Sequence, residues 1–126
     1  MRQKNINILD EEDYKAVEIF TNLGMPKNLA KTLLYIYQVD ECRSADIEHA
    51  ADLRQPEVSI AMQELRRRGW IKKRDLKNKG KGRPVHIYKP SMELSKIIND
   101  FEHEKLKEYE NVKKDLSELK NIVKSK

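Results

Sequence analysis

The stretch that decides the fold is residues 55–71, QPEVSIAMQELRRRGWI. Proline is well placed in the first turn of a helix, where its missing N–H is harmless, so Pro56 predicts a helix start. Gly69 predicts that the helix ends at about Arg68. At about 100° per residue, one arc is apolar, and the opposite arc mixes small, amide and basic side chains. The apolar arc holds Val58, Ala61, Met62 and Leu65, and the opposite arc holds Pro56, Ser59, Ile60, Gln63 and Arg67, with Arg66 at its flank.

A basic hairpin is predicted directly after this helix. Residues 70–76 and 85–89 have strand-like patterns, Pro90 ends the second, and the tip KNKGKGRP (77–84) contains turn-forming residues. From Arg66 to Lys89 there are eleven basic residues and one acid, a net charge of +10, whereas the whole chain carries +5. Such a concentration of positive charge is typical of a protein that binds a polyanion.

Three further helices are predicted upstream. Acidic residues precede an amphipathic stretch that Gly24 ends, and Pro26 opens a second helix. Residues 40–43 are interpreted as a loop, and Ser44 as the N-cap of a short third helix. Three helices, a helix with one polar face and a basic hairpin together predict a mainly α fold with a small β-hairpin, a winged helix-turn-helix over residues 1–90.

Residues 91–126 predict a long C-terminal helix for dimerisation. Ser91 is its expected N-cap, and its length is roughly 33 residues. An early apolar stripe ends at Phe101, and after a break a second stripe follows steps of three and four, as in a coiled coil. The second stripe, the expected dimer contact, consists of Leu106, Tyr109, Val112, Leu116, Leu119 and Val123.

Residues 25–90 resemble the archaeal and bacterial winged-helix transcriptional regulators of the MarR, ArsR and TrmB-like groups. The matching segments are Ser44–Glu48, Gln55–Ile71 and the tip Lys79–Pro84 with Tyr88. The resemblance implies that residues 56–68 are a recognition helix and that the tip is a wing. The chain lacks the Cys-x-Cys metal box of ArsR sensors and the C-terminal sugar-binding domain of TrmB regulators.

DNA-contacting residues are expected on the helix and on the wing, because a helix fits the major groove and cations contact phosphates. Trp70 and Tyr88 are instead expected in the core. On the helix the expected residues are Arg54, Gln55, Pro56, Ser59, Ile60, Gln63, Arg66 and Arg67, and on the wing Lys77, Lys79, Lys81 and Arg83.

Other classes of function find less support. No nucleophile elbow, phosphate loop or His/Cys metal spacing occurs, so we expect no enzyme, cofactor or metal, and no apolar run is long enough for a membrane span. The only cysteine, Cys42, cannot form a disulfide within the chain, which is consistent with a reducing cytoplasm. Its oxidation is a candidate signal, although no effector is identified. We expect a homodimeric regulator that binds double-stranded DNA. A non-specific architectural DNA binder and a winged-helix adaptor for another protein are the alternatives.

Overall fold

The computed structural model describes residues 9–76 and 85–126, which form five helices and a two-stranded antiparallel sheet. The chain divides into two compact units, Met1–Met92 and Glu93–Lys126, each described by itself. The first unit contains α1 (Glu11–Asn22), α2 (Lys27–Val39), α3 (Ser44–Ala51), α4 (Gln55–Arg67), β1 (Ile71–Leu76) and β2 (Val85–Pro90). The second is the single helix α5 (Leu94–Lys124).

The second helix is the centre of the first unit. It contacts α1, α3, α4 and β2, and its Ala30, Leu33 and Ile36 have no exposed surface. Ile47 of α3 and Leu65 of α4 are also completely buried. The apolar side chains that each helix of this unit carries at helical spacing therefore pack into one shared core.

Acidic side chains satisfy the starts of α1, α3 and α4, whereas α2 begins after Pro26 without a side-chain cap. Asp10 and Asp13 form a reciprocal capping pair at α1, with each carboxylate 2.9 Å from the other residue's backbone nitrogen. The prediction that Ser44 caps α3 was wrong. Arg43 is the N-cap, and its backbone N–H donates to the Asp46 carboxylate at 2.9 Å, which leaves Ser44 as the first helical residue. An acid at the third helical position satisfies the exposed N–H of the cap residue.

The two strands pair in a register that runs from Ile71 opposite Pro90 to Leu76 opposite Val85. Residues 40–43 form a loop between α2 and α3, as interpreted, and within it Cys42 makes an isolated antiparallel bridge to Tyr88. Its N–H donates to the Tyr88 carbonyl at 3.0 Å and its carbonyl accepts from the Tyr88 N–H at 2.8 Å. This bridge ties the α2–α3 connection to the hairpin.

The long helix begins later than predicted. Glu93, not Ser91, is its N-cap, and the helix has 31 residues. The Ser91 N–H donates to the Trp70 carbonyl at 2.9 Å, so this residue continues the edge of the hairpin. Its backbone geometry is thereby set by the sheet before the helix starts.

Candidate nucleic-acid interface

The fourth helix has one buried and one exposed face. Arg54 is the N-cap, with its backbone N–H 2.8 Å from Glu57 Oε1. Gly69 follows the helix with φ of +77°, a left-handed conformation that favours glycine and turns the chain into β1. The four predicted core residues, Val58, Ala61, Met62 and Leu65, are all buried.

The opposite side, called here the outer face, is open to solvent. It consists of Pro56, Ser59, Ile60, Gln63, Arg66 and Arg67. Ser59 is half-buried, whereas Ile60 has an exposed fraction of 69% and the other members are exposed. Arg54 and Gln55 are exposed at the helix N-terminus. The structure therefore brings the expected helix residues together on one accessible surface.

An ion-pair cluster lies at the C-terminal edge of the outer face. Arg67 donates to both carboxylate oxygens of Glu64, through Nε at 2.8 Å and Nη2 at 2.5 Å. Arg68 Nε donates to the same Oε2 at 2.7 Å. Hydrogen bonds from Arg67 lower the pKa of Glu64 to about 2, with a further lowering from Arg68, so the carboxyl stays ionised at neutral pH. Sequence reasoning did not single out Glu64, although its spacing of three and four to the arginines is the signal.

Trp70 and Tyr88 lie in the core, as expected, with exposed fractions of 2% and 8%. The Arg68 guanidinium carbon lies 4.8 Å from the centre of the Trp70 ring, a cation–π distance. Arg68 is thus held between an aromatic ring and a carboxylate.

The β1–β2 hairpin carries exposed cations. Lys72 and Lys73 of β1 are exposed, and they were counted in the basic segment but not among the expected contacts. Arg74 pairs with Glu41 at 2.9 Å, and Asp75 Oδ1 lies 2.6 Å from His86 Nδ1 across the strands. The expected wing residues Lys77, Lys79, Lys81 and Arg83 lie outside the described residues.

Cys42 does not have the environment of a reactive thiol. Its exposed fraction is 4%, and burial, together with the negative charge of Asp46, raises the pKa of Cys42 to about 12. A protonated, buried thiol is a poor nucleophile and metal ligand. Within residues 9–76 and 85–126, no cluster of three His, Cys, Asp or Glu side chains is arranged to hold a metal ion.

A shallow groove of about 370 Å³ runs along one flank of α4. Pro26, Asn28 and Leu29 of the α2 start form one side. The helix contributes Glu57, Ile60, Ala61 and Glu64 to the other. The groove is mainly apolar and is lined by the carboxylates of Glu57 and Glu64, the second of which is paired with Arg67 and Arg68.

Comparison with solved structures shows which fold this arrangement is. TrmBL2, described as an archaeal chromatin protein with a novel mode of DNA binding, superimposes with a TM-score of 0.57 at 18% identity over 85% of this chain. The chain spans only 41% of the length of TrmBL2. This chain therefore has the winged-helix fold. The resemblance to winged-helix regulators is thereby confirmed at the level of the fold.

Two further winged-helix neighbours have lengths closer to that of this chain. A possible transcriptional regulator from Methanosarcina mazei Go1 gives a TM-score of 0.61 at 15% identity, over 83% of this chain and 87% of that one. MepR, a transcription regulator of the Staphylococcus aureus multidrug efflux pump MepA, gives 0.50 at 21% identity, over 88% and 80%. Neither the protein-family models nor the curated proteins gave a match to this sequence.

In the winged-helix fold, α3 and α4 are the helix-turn-helix pair, and β1 and β2 form the base of the wing. None of the helices among the described residues is long and apolar enough to cross a membrane.

Proposed function

We propose that this winged-helix protein is a homodimeric transcriptional regulator that inserts α4 into the major groove of DNA. The observation that carries the proposal is the outer face of α4, a connected surface of amide, hydroxyl and guanidinium groups on a helix whose other side is fixed in the core. A helix anchored in this way presents its side chains at defined positions, as base recognition requires. The protein acts where the DNA is, in the cytoplasm.

Roles within the outer face follow from side-chain chemistry. Gln63 has the amide geometry to pair with adenine, and Ser59 can contact either kind of base. Ile60, with an exposed fraction of 69%, is suited to contact a thymine methyl group. Arg54 and Gln55 at the helix N-terminus, together with Arg66, contact phosphates or base edges. The wing residues Lys77, Lys79, Lys81 and Arg83 contact the backbone or the minor groove.

Selection of bound sites from random duplex DNA tests sequence specificity. We expect enrichment of a palindromic site with half-sites about one helical turn apart. Gln63→Ala should weaken binding to that site by about five- to 150-fold, because a bidentate base contact is worth about 1–3 kcal/mol. Asn121→Ala, which removes an exposed amide from α5, is the matched control and should leave binding unchanged. Equal enrichment of all sequences would contradict the proposal.

We further propose that α5 joins two copies. Its second apolar stripe is open in the single chain, with exposed fractions from 52% for Leu116 to 71% for Val123. Ile122, which the sequence reading omitted, adds an exposed fraction of 54% beside the stripe. A continuous apolar stripe of this length on a water-exposed helix indicates a partner helix, and a second copy of the chain presents an identical stripe.

An architectural role on DNA is the second candidate. The net charge of +10 from Arg66 to Lys89 favours it, since phosphate contacts alone supply non-specific binding. TrmBL2, the chromatin protein among the structural neighbours, shares the fold. In that case Gln63→Ala would leave affinity unchanged, whereas a Lys72→Gln/Lys73→Gln double variant would reduce it for every sequence. A protein that bound no duplex at physiological salt would instead be an adaptor for another protein.

A further inference from the structure

We propose that Glu64 determines how well the protein discriminates its site from arbitrary DNA, by holding Arg67 and Arg68 away from phosphates. The inference rests on the proposed DNA-binding function of α4. Its basis is the ion-pair cluster at the end of that helix, in which one carboxylate accepts hydrogen bonds from two guanidinium groups.

The three residues share one side of the last turn of α4, since positions three and four apart on a helix are neighbours. Arg67 binds Glu64 through two nitrogen atoms, a bidentate geometry that fixes the plane of its guanidinium group. Arg68 is held more firmly still, since it also stacks on Trp70 and its side chain has an exposed fraction of only 19%. A phosphate that approaches this turn must therefore compete with a carboxylate already in place.

Exposure separates the roles of the two arginines. The Arg67 side chain has an exposed fraction of 67%, so it lies within reach of a DNA backbone, whereas its partner Glu64 has 31%. Without Glu64, Arg67 would lose its bidentate carboxylate partner, and its exposed guanidinium group could turn toward a phosphate. With Glu64, the cluster carries a net charge of +1 instead of +2, and its arginine is directed back along the helix.

A second carboxylate reinforces this effect. Glu57 lies two turns before Glu64 on the same flank of α4, and both line the shallow groove beside the α2 start. A phosphate that approaches that flank meets the Glu57 carboxylate, and like charges at short distance are unfavourable. Attraction to DNA is thus left to Arg54 and Arg66, which Glu64 does not hold, and to the wing. Non-specific binding, which depends on the number of cations that contact phosphates, is reduced more than binding that depends on base contacts.

The test is Glu64→Gln, an isosteric change that removes the charge and the strong acceptor. The control is Glu18→Gln on α1, which changes the net charge equally at another exposed carboxylate. Binding is measured to the selected site and to a scrambled duplex of equal length, over a series of salt concentrations. Thermal melts of both variants monitor folding.

For Glu64→Gln we expect tighter binding to the scrambled duplex, by about three- to ten-fold, and a log–log salt slope steeper by about one, the value for one additional phosphate contact. The ratio of site to scrambled affinity should fall, whereas Glu18→Gln should change neither slope nor ratio. Arg67→Ala should have little effect on scrambled-duplex affinity in the wild type. In the Glu64→Gln protein the same substitution should remove the gain, which a double-mutant cycle reports as coupling.

Glu64→Gln binding that matches the Glu18→Gln control, or that weakens on the scrambled duplex, would overturn the inference while leaving the proposed function intact. A wild-type protein that bound neither duplex would instead refute the proposed function. The two failures are therefore distinguished in one set of titrations.

Discussion

Leu116→Asp should convert the proposed homodimer into a monomer. Leu116 is in the middle of the exposed stripe of α5, with an exposed fraction of 52% in the single chain. A partner helix that covered this remaining half would contribute about 1 kcal/mol per copy, half of the value for a whole leucine, and about 2 kcal/mol per dimer. Two carboxylates buried in the same place would cost about 2 kcal/mol more. The total of about 4 kcal/mol corresponds to a rise of roughly 500-fold or more in the dimer dissociation constant.

Sedimentation velocity over a concentration series measures this change directly. The control is Asn121→Asp, which adds the same charge to an exposed residue on the side of α5 opposite Leu116. We expect the control to remain dimeric at concentrations where Leu116→Asp is monomeric. Binding to the selected site should weaken in parallel, because two linked heads bind with a high effective concentration that single heads lack.

Leu116→Asp that dimerised as tightly as Asn121→Asp would refute the reasoning. Such a result would mean that the stripe is not the contact between copies. It would leave the outer face of α4 and its DNA contacts unaffected, since the two proposals depend on different units of the chain.

Four further predictions concern two sites of substitution, the reactivity of one thiol and the pH dependence of stability. Asp52→Gly should raise the free energy of unfolding by about 0.5–1 kcal/mol in thermal or urea melts. The reason is that Asp52 has a left-handed backbone (φ +54°) and places a negative charge at the C-terminus of α3. Asp52→Asn, which removes only the charge, should give a smaller gain. Lys72→Gln/Lys73→Gln should reduce the log–log salt slope of duplex binding by about one, measured by anisotropy, because successive strand residues point to opposite faces and only one of the two lysines can face the duplex. An unchanged slope would remove β1 from the interface. The Cys42 thiol should resist alkylation at pH 8 in the folded protein and react rapidly in urea, because burial raises its pKa to about 12. The free energy of unfolding should also fall as the pH rises from about 8.5 toward 12, since the folded state retains a thiol proton that the unfolded chain loses.

Much of the architecture was predictable because it depends on local patterns. The apolar arc of α4 recurs at helical spacing, and all four of its predicted members are buried. Pro56 and Gly69 delimit the same helix through their own backbone preferences, which neighbours in space do not alter. The core positions of Trp70 and Tyr88 followed from their places beside a turn and on an alternating strand.

Errors occurred where a backbone group has a choice of partners. Ser91 has the side chain of a helix cap, but its N–H binds the Trp70 carbonyl, so the helix starts at Leu94. Ser44 was displaced as a cap because the Asp46 carboxylate satisfies Arg43. Cys42 is a loop residue, as predicted, but its bridge to Tyr88 joins positions far apart in the chain and was not predicted. Side-chain propensity ranks the possible cap residues, but the hydrogen bonds of the folded backbone decide which residue caps the helix.

By itself, the sequence determined which residues are apolar at period 3.6 or 2, where the helices break and where the positive charge accumulates, and so it specified a winged helix-turn-helix order with a polar helix face. The pairing of Glu64 with Arg67 and Arg68 also follows from spacing within one helix. Only the tertiary structure decided that Arg74 of β1 has a partner, because Glu41 lies far from it in the chain. The physical reason is the distance along the chain between the residues that each kind of interaction joins. Patterns of burial repeat along the chain and can be read locally, whereas a hydrogen bond forms only within about 3 Å and depends on where folding brings each donor and acceptor.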